Sequence, residues 1–153
     1  MDILQTQNVL NIYIGFDEVE KVAYHTLSQS IIKHASSPVR ISPICSKHFH
    51  KFFNRPKDQK QSNDFSFTRF LVPYLNNFDG YAIFMDCDMM LRDDIFDVLK
   101  EVNLENAVSV VKHDYTPSDK VKYLNKVQYS YPRKNWSSFV VWNCSHKKNR
   151  KLT

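Results

Sequence analysis

Glycine is conspicuously scarce: Gly15 and Gly80 are the only two in 153 positions, where average usage would give about 11. The scarcity excludes glycine-rich phosphate cradles. A Rossmann turn or a Walker loop needs glycine wherever backbone amides close on phosphate oxygens. Any nucleotide taken up by this chain must have its phosphates neutralised by another device, and a carboxylate-held metal ion is one. Cysteine is also sparse. Cys45, Cys87 and Cys144 are odd in number and form no C-x-x-C spacing, which argues against zinc or dithiol redox sites and for a reduced compartment. The chain opens on no basic stretch followed by an apolar run, and no segment approaches about 18 uninterrupted apolar residues. The expectation is a cytoplasmic protein with neither signal peptide nor transmembrane anchor. Low-complexity tracts and internal repeats are absent.

What is present is enough for one globular domain spanning 1–153, with a core over 10–143 and a polar, basic tail over 144–153. Hydrophobic residues make up 42% and aromatics 14%, which supports a packed core. Lys and Arg outnumber Asp and Glu by 21 to 16, for a formal charge of +5. That field favours anionic partners without choosing among them, and much of the excess sits in Lys147, Lys148, Arg150 and Lys151, read as a solvated tail. Asn54 to Asn63 reads as a flexible loop.

Leu10 to Phe16 is an apolar run ending near glycine, the mark of a buried parallel strand. Asp17 and Glu20 have capping-box spacing, and Val22, Ala23, Leu27, Ile31 and Ile32 recur at helical intervals, predicting a helix from Val19 to Ala35. Ser36, Ser37 and Pro38 break it before a second strand, Val39 to Ile44, so that a β-α-β unit results. Asp64 is placed to cap a helix from Phe65 to Leu75, with Phe67, Phe70, Leu71 and Tyr74 on one side and Pro73 bending its end. Asn76 to Gly80 turns the chain. Strands are predicted at Tyr81 to Met85, Ala107 to Lys112 and Phe139 to Asn143, with a short helix from Asp93 to Lys100 that Asp93 and Asp94 cap.

Tyr81 to Met85 delivers Asp86 and Asp88 at its carboxyl end, the edge where ligands of open α/β sheets gather. Two carboxylates at i and i+2 on a turning strand end can converge on one hard cation, Mn²⁺ or Mg²⁺. Such an ion bridges the phosphates of a nucleoside diphosphate and stabilises the charge that develops when the diphosphate leaves. A bare D-x-D also occurs at surface turns and helix caps; its position directly after an apolar strand raises its weight, because carboxylates buried there need a cation.

Four stretches, in order, carry a resemblance to GT-A glycosyltransferases, especially glycosyltransferase family 8 and its bacterial and phage relatives. NIYIGFD resembles the opening strand that cradles the nucleoside, and FSFTRFLVPYL the helix with its nucleotide-side arginine. YAIFMDCDMML resembles the strand with the metal motif, and RKNWSSFVVWNC the Asn-Ser segment and final strand near donor and acceptor. The likeness spans Asn11 to Asn143. It implies an α/β, Rossmann-like mixed sheet flanked by helices, and transfer of a sugar from a nucleoside diphosphate sugar, UDP-linked by resemblance, to a hydroxyl acceptor. Nucleic acid is not an expected partner.

Carried over residue by residue, the resemblance implies Asp86 and Asp88 as metal ligands, with Asp88 and Arg69 in catalytic roles. Arg69 would stand near the donor, with Asp17 and Tyr24 by the nucleoside. A guanidinium suits phosphate or carboxylate because its planar fork bonds in two places. The plain alternatives are a surface or structurally paired Arg69, a core Tyr24 and an Asp17 that only caps its helix. Lys112, His113 and Asp114 follow a predicted strand and would offer titratable groups to donor or acceptor. Asn135, Ser137 and Ser138 suit sugar hydroxyls, with Trp136 as an apolar face; a hydrogen-bonded turn before the strand is the alternative. Family members carry a metal-completing histidine beyond the last strand, and His146 lies too close to that strand to match it. The chain therefore reads as C-terminally truncated relative to the family.

Three other readings remain open. A haloacid-dehalogenase-type phosphatase also ends a strand in D-x-D, but expects Thr or Val where this chain has Met90, and places its motif near the N-terminus. A basic binding module would use the lysines and aromatics without chemistry, although no RNP signature, zinc spacing or basic helix supports it. A nucleotide-binding but catalytically incomplete fragment is the third.

Overall fold

In the computed structural model, which describes residues 7–56, 61, 63–113, 121–122, 126–127 and 134–152, five strands form one mixed sheet. Strand β1 (Leu10–Gly15), helix α1 (Lys21–His34) and strand β2 (Val39–Ile44) make the expected β-α-β unit, β1 pairing with β2 in parallel. Strand β3 (Tyr81–Met85) pairs with the other side of β1, also in parallel. Helix α3 (Ile95–Lys100) leads to β4 (Val108–His113), and the chain returns along β7 (Lys134–Asn143), antiparallel to both β3 and β4. The order is β2-β1-β3-β7-β4. Pro43, which has no N–H to donate, falls in β2, an edge strand where the missing donor costs little. A small ribbon, β5 (Val121–Lys122) with β6 (Lys126–Val127), stands apart from the sheet.

The strands were read well because burial on both faces makes them continuously apolar: Ile12, Ile14, Ala82, Ile83, Phe84 and Met85 are all at 0% exposure. The helical faces were read less well. On α1 the inward stripe is Ala23, Tyr24, Leu27, Ser30 and Ile31, whereas Val22 and Ile32, expected to be buried, are exposed. Spacing explains the stripe: these positions follow i, i+3, i+4, i+7, and Val22 and Ile32 fall one residue off it. Ser30 is tolerated inside because its hydroxyl donates to the Leu27 carbonyl (2.8 Å) and accepts from the Leu91 amide (3.0 Å).

The predicted helix from Phe65 to Leu75 is instead a turn, a 3-10 segment (Thr68–Leu71) and a single α-turn, α2 (Val72–Leu75). Tighter winding rotates the buried set to Phe65, Thr68, Arg69, Leu71 and Val72, leaving Phe70 and Tyr74 exposed. Pro73 lies in the first turn of α2, where no amide is needed, and so starts that turn instead of bending its end. Asp64 does not cap a long helix; its amide donates to Asp17 Oδ2 (3.2 Å).

Asp94 caps α3 as expected, accepting from the Phe96 amide (3.1 Å), and also accepts from the Ser36 amide (3.3 Å). Of the segment read as the Asn54–Asn63 loop, residues 57–60 and 62 lie outside the described residues. The tail is not free. Residues 147–151 wind into a 3-10 turn anchored by buried Asn149, whose amide donates to Ala107 and Asn143 carbonyls (2.8 and 2.7 Å). The four basic side chains remain exposed, with Arg150 over the Phe78 ring at 5.0 Å.

Gly15 ends β1 under Phe65, and a Cβ built there would stand 2.3 Å from Phe65 Cδ2. Phe65 is 1% exposed and has nowhere to retreat. Gly15→Ala should therefore cost about 1–3 kcal/mol in urea denaturation, with the midpoint falling; an unchanged midpoint would show that the ring moves aside.

Candidate active site at the carboxyl edge of the sheet

Because β1 and β3 are parallel and β7 is antiparallel to β3, one edge of the sheet collects the carboxyl ends of β1 and β3 and the amino-terminal half of β7. Asp17, Asp86, Cys87, Asp88, Ser137 and Ser138 therefore meet there. The opposite edge receives His146, whose Nδ1 accepts from the Lys148 amide (3.2 Å) and caps the terminal 3-10 turn.

Asp86 is held from two sides. Its amide donates to the Ser138 carbonyl (2.8 Å), continuing the β3–β7 ladder one step past the strand. Its carboxylate Oδ1 stands 3.2 Å from Arg69 Nη2. The guanidinium is itself fixed. Nε donates to the Ser66 carbonyl (3.0 Å), Nη1 to the Ser137 carbonyl, and the group lies 5.0 Å over the Phe84 ring. Arg69 is 6% exposed. Its contacts to Ser66, Ser137 and Asp86 fix the guanidinium against the Asp86 carboxylate, so of the plain alternatives for Arg69 the surface one is not what the structure shows.

Burial dominates the electrostatics of this pair. It pushes the Asp86 carboxyl up to about 6; Arg69 opposes the rise, while Asp88 and Glu20 add to it. Burial likewise lowers the Arg69 guanidinium, with Asp86 and Asp88 working in the other direction. Both partners shift toward their neutral forms, so attraction between them recovers only part of the desolvation cost. Although close to Arg69, Asp86 Oδ1 is fully buried and accepts no hydrogen bond of good geometry. Its close cation is the Arg69 guanidinium, and the Asp86 side chain as a whole remains 18% exposed, so part of the carboxylate is still open to the edge.

Asp88 is exposed at the same edge. Between the two aspartates Cys87 points inward, at 0% exposure, its thiol donating to Glu20 Oε2 (3.4 Å). Burial, then the Glu20 charge, drives the Cys87 thiol far above its ordinary range, so it is an inert, protonated group here. Glu20 was missed as a site neighbour because its distance from Asp17 reads as a capping box. The signal was available in the helix stripe, since Glu20 lies three and four residues before Ala23 and Tyr24 and so faces the sheet. Burial raises its carboxyl, the Cys87 bond opposes, and Asp88 and Asp17 add to the rise.

Asp17 does cap the first turn, accepting from the Val19 amide (3.1 Å), and it also receives the Asp64 amide. Tyr24 packs edge-on against Phe16 (5.4 Å) and is half-buried. Lys112 and His113 lie within β4 and not in a loop after it, paired with Asn135 and Lys134; Lys112 is exposed. Asp114 lies outside the described residues, and so does the Asn135 side chain. Ser137 and Ser138 are likewise strand residues and not a turn; they act through backbone carbonyls, opposite the irregularity between Val110 and Val111 that opens the β4–β7 pairing. Their extended conformation escaped the sequence reading because Lys134 to Ser138 is polar and lacks a strand's apolar signature. The His113 and Trp136 rings stack, centroids 4.0 Å apart.

Among the described residues, no three His, Cys, Asp or Glu side chains converge as a metal-binding group. The available donor set is two carboxylates, which suits an ion of the Mg²⁺ or Mn²⁺ type shared with substrate phosphates and not an all-protein cage.

No family model matches the chain. It is 42% identical over 144 residues to Protein CDI of Arabidopsis thaliana, covering 93% of this chain and 56% of that protein, so the chain spans about half the length of this curated relative. Among solved structures it is similar to the bifunctional glycosyltransferase WbbM (TM-score 0.60, 15% identity, 95% of this chain and 33% of that one). It is also similar to the glycosyltransferase GlyE of Streptococcus pneumoniae (0.57, 14%, 95% and 37%). A third neighbour is the galactosyltransferase LgtC in complex with donor and acceptor sugar analogues (0.57, 12%, 92% and 60%). At these identities the likeness shows the fold, and the expected GT-A type of α/β sheet is the one observed. Among the described residues no helix is long and apolar enough to cross a membrane.

The Asp86 shift predicts how stability depends on pH. Its folded value is raised, so between about pH 4 and about pH 6 the folded state binds more protons than the unfolded state, and stability falls as pH rises through that window. Urea denaturation in EDTA should show wild type losing stability relative to Asp86→Asn from about pH 4 to 6, with a constant difference above. A difference independent of pH would show that Asp86 titrates normally.

Proposed function

We propose that the chain is the donor-binding part of a glycosyltransferase that moves a sugar from a nucleoside diphosphate sugar, UDP-linked, to a hydroxyl acceptor in the cytoplasm, with Mn²⁺ or Mg²⁺ held at Asp86 and Asp88. The observation that carries the reading is the placement of Asp86, fixed by Arg69, beside exposed Asp88 at the carboxyl edge of β3. Two carboxylates at one strand end, one held in place by an arginine and the other open to solvent, can share a divalent ion with substrate phosphates. The three fold neighbours named above, glycosyltransferases by name, and the scarcity of glycine support the same conclusion.

In this reading the nucleoside lies toward β1, with Asp17 at the strand-to-helix turn and Tyr24 behind it. Arg69 holds Asp86 in a fixed rotamer and balances its charge, so the carboxylate is ready for the cation without reorganisation. Asp88, freely solvated, supplies the second ligand. The bound cation would neutralise the diphosphate and stabilise it as the bond to the sugar's anomeric carbon breaks and the acceptor oxygen's bond forms. Lys112 adds positive charge on the far strand, and the edge formed by Asn135 to Ser138 faces the sugar. Glu20 keeps Cys87 turned inward, so that the two aspartates stay on the ligand side.

If the cation is the bridge, Asp88→Asn should weaken UDP binding in Mn²⁺ by roughly tenfold or more, a loss of about 1.4 kcal/mol or greater, and change it little in EDTA. Titration calorimetry of both proteins measures this. Equal UDP affinity with and without metal in wild type would refute the reading.

A further inference from the structure

The segment that carries Arg69 has a second, outward side that the donor site does not use. Thr68–Leu71 turns Arg69 inward to Asp86 and leaves the next residue, Phe70, in solvent. Phe70 borders an open groove with Phe52, Tyr74 and Leu152, all four being 41% to 50% exposed. Among the described residues, Phe52, Phe70 and Tyr74 are the large aromatics left exposed, and all three fall here. The rings continue as a ladder: Phe52 stands 5.5 Å from Phe49 and 5.3 Å from Tyr74, and Tyr74 stands 6.1 Å from Phe78. Phe78 holds a left-handed backbone, φ 53°, uncommon for a bulky side chain, and Arg150 lies 5.0 Å over its ring.

The charge on this face has one sign. Residues 46–56, 65–78 and 144–152, which build it, contain no Asp or Glu. Lys47, Lys51 and Arg55 are exposed on the first of these stretches, and Lys147, Lys148, Arg150 and Lys151 on the last. Arg55 and Lys151 border the groove itself. Among the described residues none of these seven is in an ion pair. Five are lysines, whose compact charges on flexible stems suit a diffuse anionic surface better than a fixed bidentate partner. An exposed apolar patch with a charged rim marks an interaction surface.

We propose that this face rests on an anionic lipid bilayer, a peripheral attachment made without a spanning helix. Phe52, Phe70, Tyr74 and Leu152 enter the headgroup region, the depth at which aromatic side chains anchor membrane proteins. The lysines and arginines around them lie against the lipid phosphates. Apolar burial and attraction to anionic headgroups add in such docking, and either alone holds weakly. The edge with Asp86 and Asp88 stays accessible, because Arg69 and Asp86 lie on the inner side of the segment whose outer side docks.

Cosedimentation with vesicles of phosphatidylcholine alone, and with about 30% phosphatidylglycerol, tests the docking without UDP or metal, so its outcome is independent of the donor site. The chain should pellet with the anionic vesicles and not with the neutral ones. Raising salt from about 0.1 M to about 0.5 M should release most of it. Two double variants, Phe52→Ser with Phe70→Ser and Lys147→Glu with Lys148→Glu, should each weaken partitioning roughly tenfold or more. Urea denaturation checks that each folds, and Lys51→Glu with Arg55→Glu replaces a pair that does not. Matched changes on α1, Val22→Ser with Lys33→Glu, should leave partitioning unchanged. No binding to anionic vesicles, an equal loss in the α1 variant, or a loss confined to the charge variants would overturn the proposal. So would sedimentation velocity showing a dimer that Phe70→Ser dissociates, because the groove would then belong to a second copy of the chain.

Discussion

The buried contact between Arg69 and Asp86 is the constraint on which the rest of the candidate site depends. It joins three parts of the chain: the 3-10 segment before α2, the end of β3 and the bulged half of β7. Each anchors the others. Ser66 and Ser137 carbonyls orient the guanidinium, the guanidinium orients Asp86, and the Asp86 amide is tied back to Ser138. Burial raises the cost of both charges above what their attraction returns.

Around that contact the fold places its supports with ordinary means. The inward stripe of α1 packs Leu27 and Ile31 into the core and, at its two ends, turns Glu20 toward Cys87 and Ser30 toward the Leu91 amide. One helix thus holds both the metal-motif turn and the segment that follows it. The tight closure of Phe65 over Gly15 and its approach to Phe84 (6.4 Å) seal the floor beneath Arg69.

Much of this was legible in the sequence, and the reasons are particular. Strands β1 and β3 are apolar on both faces, so their runs stand out, and Asp86 to Asp88 could be placed at a strand end without any structure. The caps at Asp17 and Asp94 were legible because a short acidic side chain before a helix has one common use. What escaped was long-range. Phe70 and Tyr74 appeared inward because α-helical spacing was assumed where the chain winds as 3-10. Lys134 to Ser138 fell outside the predicted strand, Phe139 to Asn143, because the stretch is polar and extends only with β4 beside it to supply hydrogen bonds. Glu20 and Arg69 had the right location, but their partners, Cys87 and Asp86, are 67 and 17 residues away, and no local pattern encodes such pairs.

The central claim is that Asp86 and Asp88 form a cation-dependent diphosphate site. Diffraction from crystals grown with Mn²⁺ and UDP, collected at a wavelength where manganese scatters anomalously, tests it most directly. The account predicts an anomalous peak within bonding distance of both carboxylates, about 2.0–2.6 Å, contacting the UDP phosphates, with the Arg69 contact to Asp86 preserved. UDP bound elsewhere, or bound at this edge with no manganese between it and the two aspartates, would contradict it.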